Sequence, residues 1–195
     1  MEKNTIARTE RPSVQELEKE LNRIRYRSRY NRVLKSTIYT LIVAAAVAIL
    51  VATIWMPVLQ IYGTSMNPTL TEGDIVVVLK GNNYEQGDLI SFYLGNKLLV
   101  KRYIAGPGQW VDIDKDGNVT VDGEVLDEPY VIEKTLGDTD LKFPYQVPES
   151  RIFVLGDHRS VSADSRSAII GCVSDEQMVG KIVLRVWPLN MISKF

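Results

Sequence analysis

Apolar residues divide the chain into three stretches with different periods. Residues 36–61 carry no charged side chain. Positions 37–56 are apolar over the roughly 20 residues that a helix needs to cross a hydrocarbon layer about 30 Å thick. Tyr39 and Trp55 stand near the two ends, where amphipathic rings favour the lipid–water interface, and Pro57 discourages further helix. Upstream, Val14, Leu17, Leu21 and Ile24 recur at spacings of three and four, and Ser13 with Glu16 forms a capping-box pattern behind Pro12. That stripe lapses at Ser28 and Asn31. It predicts a basic amphipathic helix before the span, lying against anionic headgroups.

Beyond residue 70 the helical period disappears. β-branched runs alternate with turn signals, which predicts strands over 75–79, 89–93, 98–104, 152–155 and 182–187. Residues 109–114 and 118–121 form an expected hairpin, with a type I′ turn at Asp122-Gly123 leading into 124–126. Residues 127–150, rich in Asp, Glu and Pro, read as a long surface connection. The expected fold is an all-β domain, barrel or sandwich, preceded by one N-terminal transmembrane α-helix. The expected division is a basic segment at 1–35, an anchor at 36–57 and an exported domain at 58–195.

Charge assigns a direction to the anchor. The net charge of -1 hides ten Lys and Arg against five Glu in residues 1–35, which leaves -6 for the rest. By the positive-inside rule the N-terminus is cytoplasmic and the β-domain extracytoplasmic, in a single-pass plasma-membrane protein. Nucleic acid is not an expected partner of so divided a charge. Cys172 is the sole cysteine and His158 the sole histidine, too few for the usual zinc sites. Asp112-Ile-Asp-Lys-Asp116-Gly117 begins like a calcium loop, but position 123 is Gly where the bidentate Glu belongs. No metal and no cofactor are expected.

Three segments could carry chemistry. Ser65 stands between Gly63 and Pro68, directly after the anchor. Alone, such a string reads as a turn. Lys101 interrupts an apolar strand in which Leu99 and Tyr103 share its face, while Val100 and Arg102 face the other way; two adjacent cations on opposite faces force at least one inward. Alone, a strand lysine reads as a solvated edge residue. Residues 156–166 concentrate two Asp, two Arg, three Ser and the histidine, a polar site loop or a hydrogen-bonded surface loop.

Together, Ser65-Met-Asn-Pro-Thr-Leu70, Gly73-Asp-Ile-Val76, Val100-Lys-Arg102 and Gly156-Asp-His-Arg-Ser-Val-Ser-Ala-Asp-Ser-Arg166 resemble the motif boxes of bacterial type I signal peptidases, in order and just after an anchor. The resemblance covers about residues 58–187. It implies an all-β membrane-anchored serine endopeptidase that cuts signal peptides from exported preproteins. Ser65 is the implied nucleophile and Lys101 the general base. Ser162 would orient the amine, Asp164 and Arg166 would form a supporting pair, and Asp157 would brace the loop. Small residues before the cut would enter shallow pockets for which Leu59, Ile61, Gly63, Met66, Leu70, Leu99 and Val100 are candidates. Gly63 stands where some members carry a hydroxyl donor for the oxyanion, and His158 where many carry Asn.

Such a base must be neutral. At an ordinary pKa of about 10.4, only about one lysine in 2,500 is neutral near pH 7, and lowering the pKa to about 7 disfavours the cation by roughly 4.6 kcal/mol. Burial in an apolar site supplies shifts of that order. Three alternatives stand beside this reading: a Ser65–His158–Asp triad, a specialised peptidase for a surface or pilus precursor, and a non-catalytic tethered binding module.

Overall fold

The structure, a computed structural model, describes residues 13–81 and 83–195. Pro12 and the rest of the first twelve residues lie outside it. The described residues divide into two compact units, with the boundary between Val51 and Ala52.

One α-helix, α1, runs from Val14 to Trp55. Its start is the predicted capping box: Ser13 N–H donates to Glu16 Oε2 at 3.0 Å, and Glu16 N–H to Ser13 Oγ at 3.3 Å. It stops two residues before Pro57. The helix is continuous through Ser28 and Asn31. The apolar stripe lapses there, yet Arg, Lys and Tyr are adequate helix formers and no Gly or Pro intervenes. Among the described residues, α1 is the one helix long and apolar enough to cross a membrane.

The second unit is built of antiparallel strands: β1 (Val58–Gln60), β2 (Ile75–Leu79), β3 (Leu89–Leu94), β4 (Lys97–Ala105), β5 (Trp110–Ile113), β6 (Val119–Val121), β7 (Glu124–Val125), β8 (Tyr145–Gln146), β9 (Arg151–Leu155), β10 (Val173–Ser174), β11 (Met178–Trp187) and β12 (Ser193–Lys194). The larger sheet has the order β1-β2-β11-β3-β4-β9-β10, with β12 on β11, and the smaller has β7-β6-β5-β8. The β6–β7 turn has φ of 52° at Asp122 and 85° at Gly123, the left-handed pair a type I′ turn requires.

β4 is the strand on which the cores converge. Val100 packs with Ile61, Met66, Leu70, Val76, Val78, Leu89 and Ile182. Leu99 and Tyr103 pack with Ile90, Phe92 and Val154. Ile104 and Ala105 belong to a third cluster with Val111, Phe153 and Leu155. Both faces of this strand are covered, so Lys101 and Arg102 are both buried, at 4% and 7% exposure. The alternation argument required only one to enter.

Residues 127–150 are not a plain surface connection. Glu128, Val131 and Val147 are buried, and β8 pairs with β5 through Tyr145↔Val111. The acidic, proline-rich composition suggested solvent exposure, but Glu128 faces a buried arginine.

Candidate active site

The nucleophile segment is held from both ends. Ile61 N–H donates to Asp74 O at 2.8 Å and Gly73 N–H to Ile61 O at 2.9 Å, closing the loop between β1 and β2. Asp74 is fixed by Thr71 N–H at 3.0 Å and by Arg185 Nη1 at 3.0 Å. This explains why Gly73-Asp74 accompanies the serine. Within the loop, Asn67 N–H donates to Thr64 O and Leu70 N–H to Met66 O, which turns Leu70 into the core. Leu70 is fully buried beneath the site and is not part of its wall, contrary to its expected role in the pockets.

Ser65 and Lys101 open onto one groove of about 360 Å³. Leu59, Ile61, Gly63, Met66, Leu99 and Val100 line it with them, so six of the seven expected pocket residues are there. Burial lowers the Lys101 amine from 10.5 to about 8; Asp164 opposes that shift, Arg166 adds to it, and Asp157 opposes it. Neither Ser65 Oγ nor Lys101 Nζ has a hydrogen bond among the described residues. Catalytic hydrogen bonds commonly tighten only when substrate binds.

The 156–166 loop is ordered by ion pairs on three sides. Arg102 meets Asp157 with Nε–Oδ1 at 2.8 Å and Nη2–Oδ2 at 2.5 Å, while its Nη1 donates to Gly87 O at 2.7 Å. Thr69 Oγ1 donates to the same Asp157 carboxylate, tying it to the nucleophile loop. Arg166 pairs with Asp164 at 2.8 and 2.9 Å and reaches Leu136 O at 2.6 Å and Arg159 O at 2.7 Å. Asp164 also accepts from Gly156 N–H at 3.0 Å. Arg159 pairs with Glu128 and donates from Nε to Gly156 O at 3.1 Å.

Gly156 brings the two serines together. A Cβ added there would stand 2.5 Å from Ser162 Cβ and 2.6 Å from Ser65 O. Ser162 Oγ donates to Ala163 O at 3.5 Å, and among the described residues no hydrogen bond joins it to Lys101.

The histidine triad finds no geometry. Among the described residues the hydrogen bond between His158 and Ser65 is a main-chain one, His158 N–H donating to Ser65 O at 3.1 Å, and His158 does not line the groove. Both Asp157 oxygens are held by Arg102 and Thr69. The calcium-like loop is a turn, in which Asp114 accepts from Asp116 N–H at 2.9 Å and Asn118 N–H at 2.8 Å. Among the described residues no group of His, Cys, Asp and Glu could hold a metal. Sequence reading missed Glu128, Arg159 and Arg185. Arg159 lay inside the quoted motif, but nothing local to Glu128 points to it.

A serine and a desolvated lysine on one groove of a β-domain that follows a long apolar helix make up the layout of a serine peptidase. A family model described as "Signal peptidase, peptidase S26" matches residues 34–187, and the chain belongs to this family. It is 32% identical over 170 residues to signal peptidase I of Bacillus licheniformis, covering 79% of this chain and 89% of the relative. It is 34% identical over 151 residues to signal peptidase IB of Staphylococcus aureus (strain Mu50), covering 67% and 77%. Thylakoidal processing peptidase 1 of Arabidopsis thaliana is 33% identical over 151 residues, 69% of this chain, and the match spans only 43% of that longer protein. A solved signal peptidase I from Enterococcus faecalis V583 aligns with a TM-score of 0.43 and 28% identity, covering 51% of this chain and 97% of that one.

Proposed function

We propose that this peptidase removes N-terminal signal peptides from exported preproteins by a Ser–Lys dyad. Ser65 Oγ attacks the scissile carbonyl as Lys101, in its neutral form, takes the hydroxyl proton. Lys101 then returns that proton to the departing amine, leaving an acyl-enzyme on Ser65 that water hydrolyses by the same base. The Ser65 main-chain N–H faces the developing oxyanion. Ser162 steadies the amine once substrate closes the groove; Asp164, Arg166 and Asp157 hold the loop that carries it.

One observation supports this reading above the rest. Lys101 is 4% exposed, on the same groove as Ser65, with its amine lowered to about 8. At that pKa about one amine in ten is neutral at pH 7, against about one in 2,500 for a free lysine. Small side chains at the first and third positions before the cut suit the shallow apolar wall of Ile61, Met66, Leu99 and Val100. The substrate adds as a strand beside Leu98–Val100. The chain is anchored by α1 with its basic N-terminal side in the cytoplasm, so the β-domain that carries the groove is extracytoplasmic.

The test is cleavage of a preprotein by wild type, Ser65→Ala, Lys101→Ala and His158→Ala in parallel. Loss of cleavage in the first two variants, with the fold retained and the third variant active, supports the dyad. An active Lys101→Ala protein with a dead His158→Ala protein overturns it.

A further inference from the structure

Two strand edges are open on the groove that holds Ser65 and Lys101. Among the described residues, β1 ends its sheet and pairs with β2 alone. On β4, residues 97–101 pair with β3 alone, because β9 joins only from Arg102 onward. Residues 59–63 and 98–101 line the groove from these two edges. An extended peptide laid between them gains main-chain hydrogen bonds, and its side chains alternate between the two faces of the sheet it completes.

The side chains on β1 divide between the same two faces. Leu59, Ile61 and Val100 pack into one apolar cluster with Met66. Ile61 continues the β1 pairing, donating its N–H to Asp74 O at 2.8 Å. Gln60 and Tyr62 alternate with Leu59 and Ile61, and both are exposed while also lining the groove. Tyr62 is 75% exposed, and its hydroxyl donates to Gln60 Oε1 at 3.0 Å. No aromatic or cationic side chain among the described residues stacks on its ring. Between Tyr62 and Ser65 the groove is lined by Gly63, where even an added Cβ would meet nothing within 4 Å. The groove therefore presents an aromatic ring, tethered at its hydroxyl end, on the face opposite the apolar wall.

We propose that Tyr62 is a specificity-determining residue that receives the second side chain before the cut and favours an aromatic ring there. The proposal rests on cleavage at Ser65. The first and third side chains enter the wall of Ile61, Met66 and Val100, so the one between them turns to the Gln60 and Tyr62 face. Of these two residues Tyr62 is the nearer to Ser65 in the chain, which assigns it the second position; Gln60 lies further from the cut. A ring stacked on Tyr62 covers apolar surface that water otherwise wets, glycine covers none, and a carboxylate meets the negative face of the ring.

The experiment uses the full chain in vesicles and one preprotein carrying Phe, Gly or Asp at the second position before the cut. The preference for Ala over Leu at the third position is measured alongside. Wild type should favour Phe over Gly by about three- to tenfold in kcat/KM, and Phe over Asp by at least as much. Tyr62→Ala should bring the Phe-to-Gly ratio to within about twofold of unity, while Tyr62→Phe, which keeps the ring, should retain most of it. The third-position ratio should stay as in wild type in both variants. A wild type without the Phe preference, a preference that survives Tyr62→Ala, a loss in Tyr62→Phe as complete as in Tyr62→Ala, or an equal loss at the third position overturns the proposal and leaves the dyad standing. Cleavage that survives Ser65→Ala overturns the dyad, and this proposal with it.

Discussion

Arg102 and Asp157 form a two-pronged, fully buried ion pair next to Lys101 in β4, with side-chain exposures of 9% and 0%. Tyr130 stacks on the same guanidinium, its ring centroid 3.7 Å from Cζ. The neighbour of the proposed base is therefore immobilised as a cation. Removing one partner of such a pair strands a buried charge and costs roughly 3–5 kcal/mol, while an apolar pair of similar volume is often tolerated. Asp157→Ala should lower the unfolding free energy measured in urea by that order, and Arg102→Met with Asp157→Leu should recover most of it.

Activity should follow the neutral amine. With Lys101 titrating near 8, kcat/KM should rise about tenfold per pH unit below that value and level above it. A pH–rate profile flat from pH 6 to 9 would contradict Lys101 as the base.

The same lysine lowers stability. Its folded-state pKa of about 8 lies below the ordinary 10.5, so unfolding takes up a proton between about pH 8 and pH 10.5. Stability should fall as pH drops from about 10.5 to about 8 and stay reduced below that. Lys101→Met removes the ammonium and should stabilise the domain at pH 7 by roughly 3 kcal/mol while abolishing cleavage. Chemical denaturation at pH 7 and pH 10 checks this, with the gain confined to the lower pH.

Glu128 holds the site loop from a distance in sequence. Its pair with Arg159, at 1% and 0% side-chain exposure, fixes Gly156 O through Arg159 Nε. Glu128→Ala should cost about 3–5 kcal/mol by denaturation. It should also lower kcat, because Gly156 packs against both serines.

Gly156→Ala should be harmful for a different reason. The new methyl would enter space held by Ser162 and by Ser65 O. Overpacking of this kind costs roughly 1–3 kcal/mol, and here the shift would move the nucleophile. Cleavage should fall far more than thermal stability does.

Much of this was legible in the sequence because it is local. The hairpins follow from alternation and from Asp122-Gly123, and the end of α1 from Pro57. The groove was legible through Ile61, Met66, Leu99 and Val100, which flank the two chemical residues in the chain. What escaped depends on distance. Glu128 and Arg159 are 31 residues apart, and no periodicity links them. Leu70 was assigned to the wall because it neighbours the serine, but one turn of backbone from Met66 sends it inward. The apolar stripe lapses at Ser28 while the helix does not, because such a stripe reports what a helix packs against, not whether the helix continues.

That continuity makes α1 a lever. At about 1.5 Å per residue, the 22 residues of α1 before position 36 extend roughly 33 Å without a hinge. Membrane helices lean by about 20° on average, and such a lean sweeps the Val14 end sideways by about 11 Å. If α1 is the membrane anchor proposed above, a change of its lean with bilayer thickness carries the arginines before position 36 sideways with it.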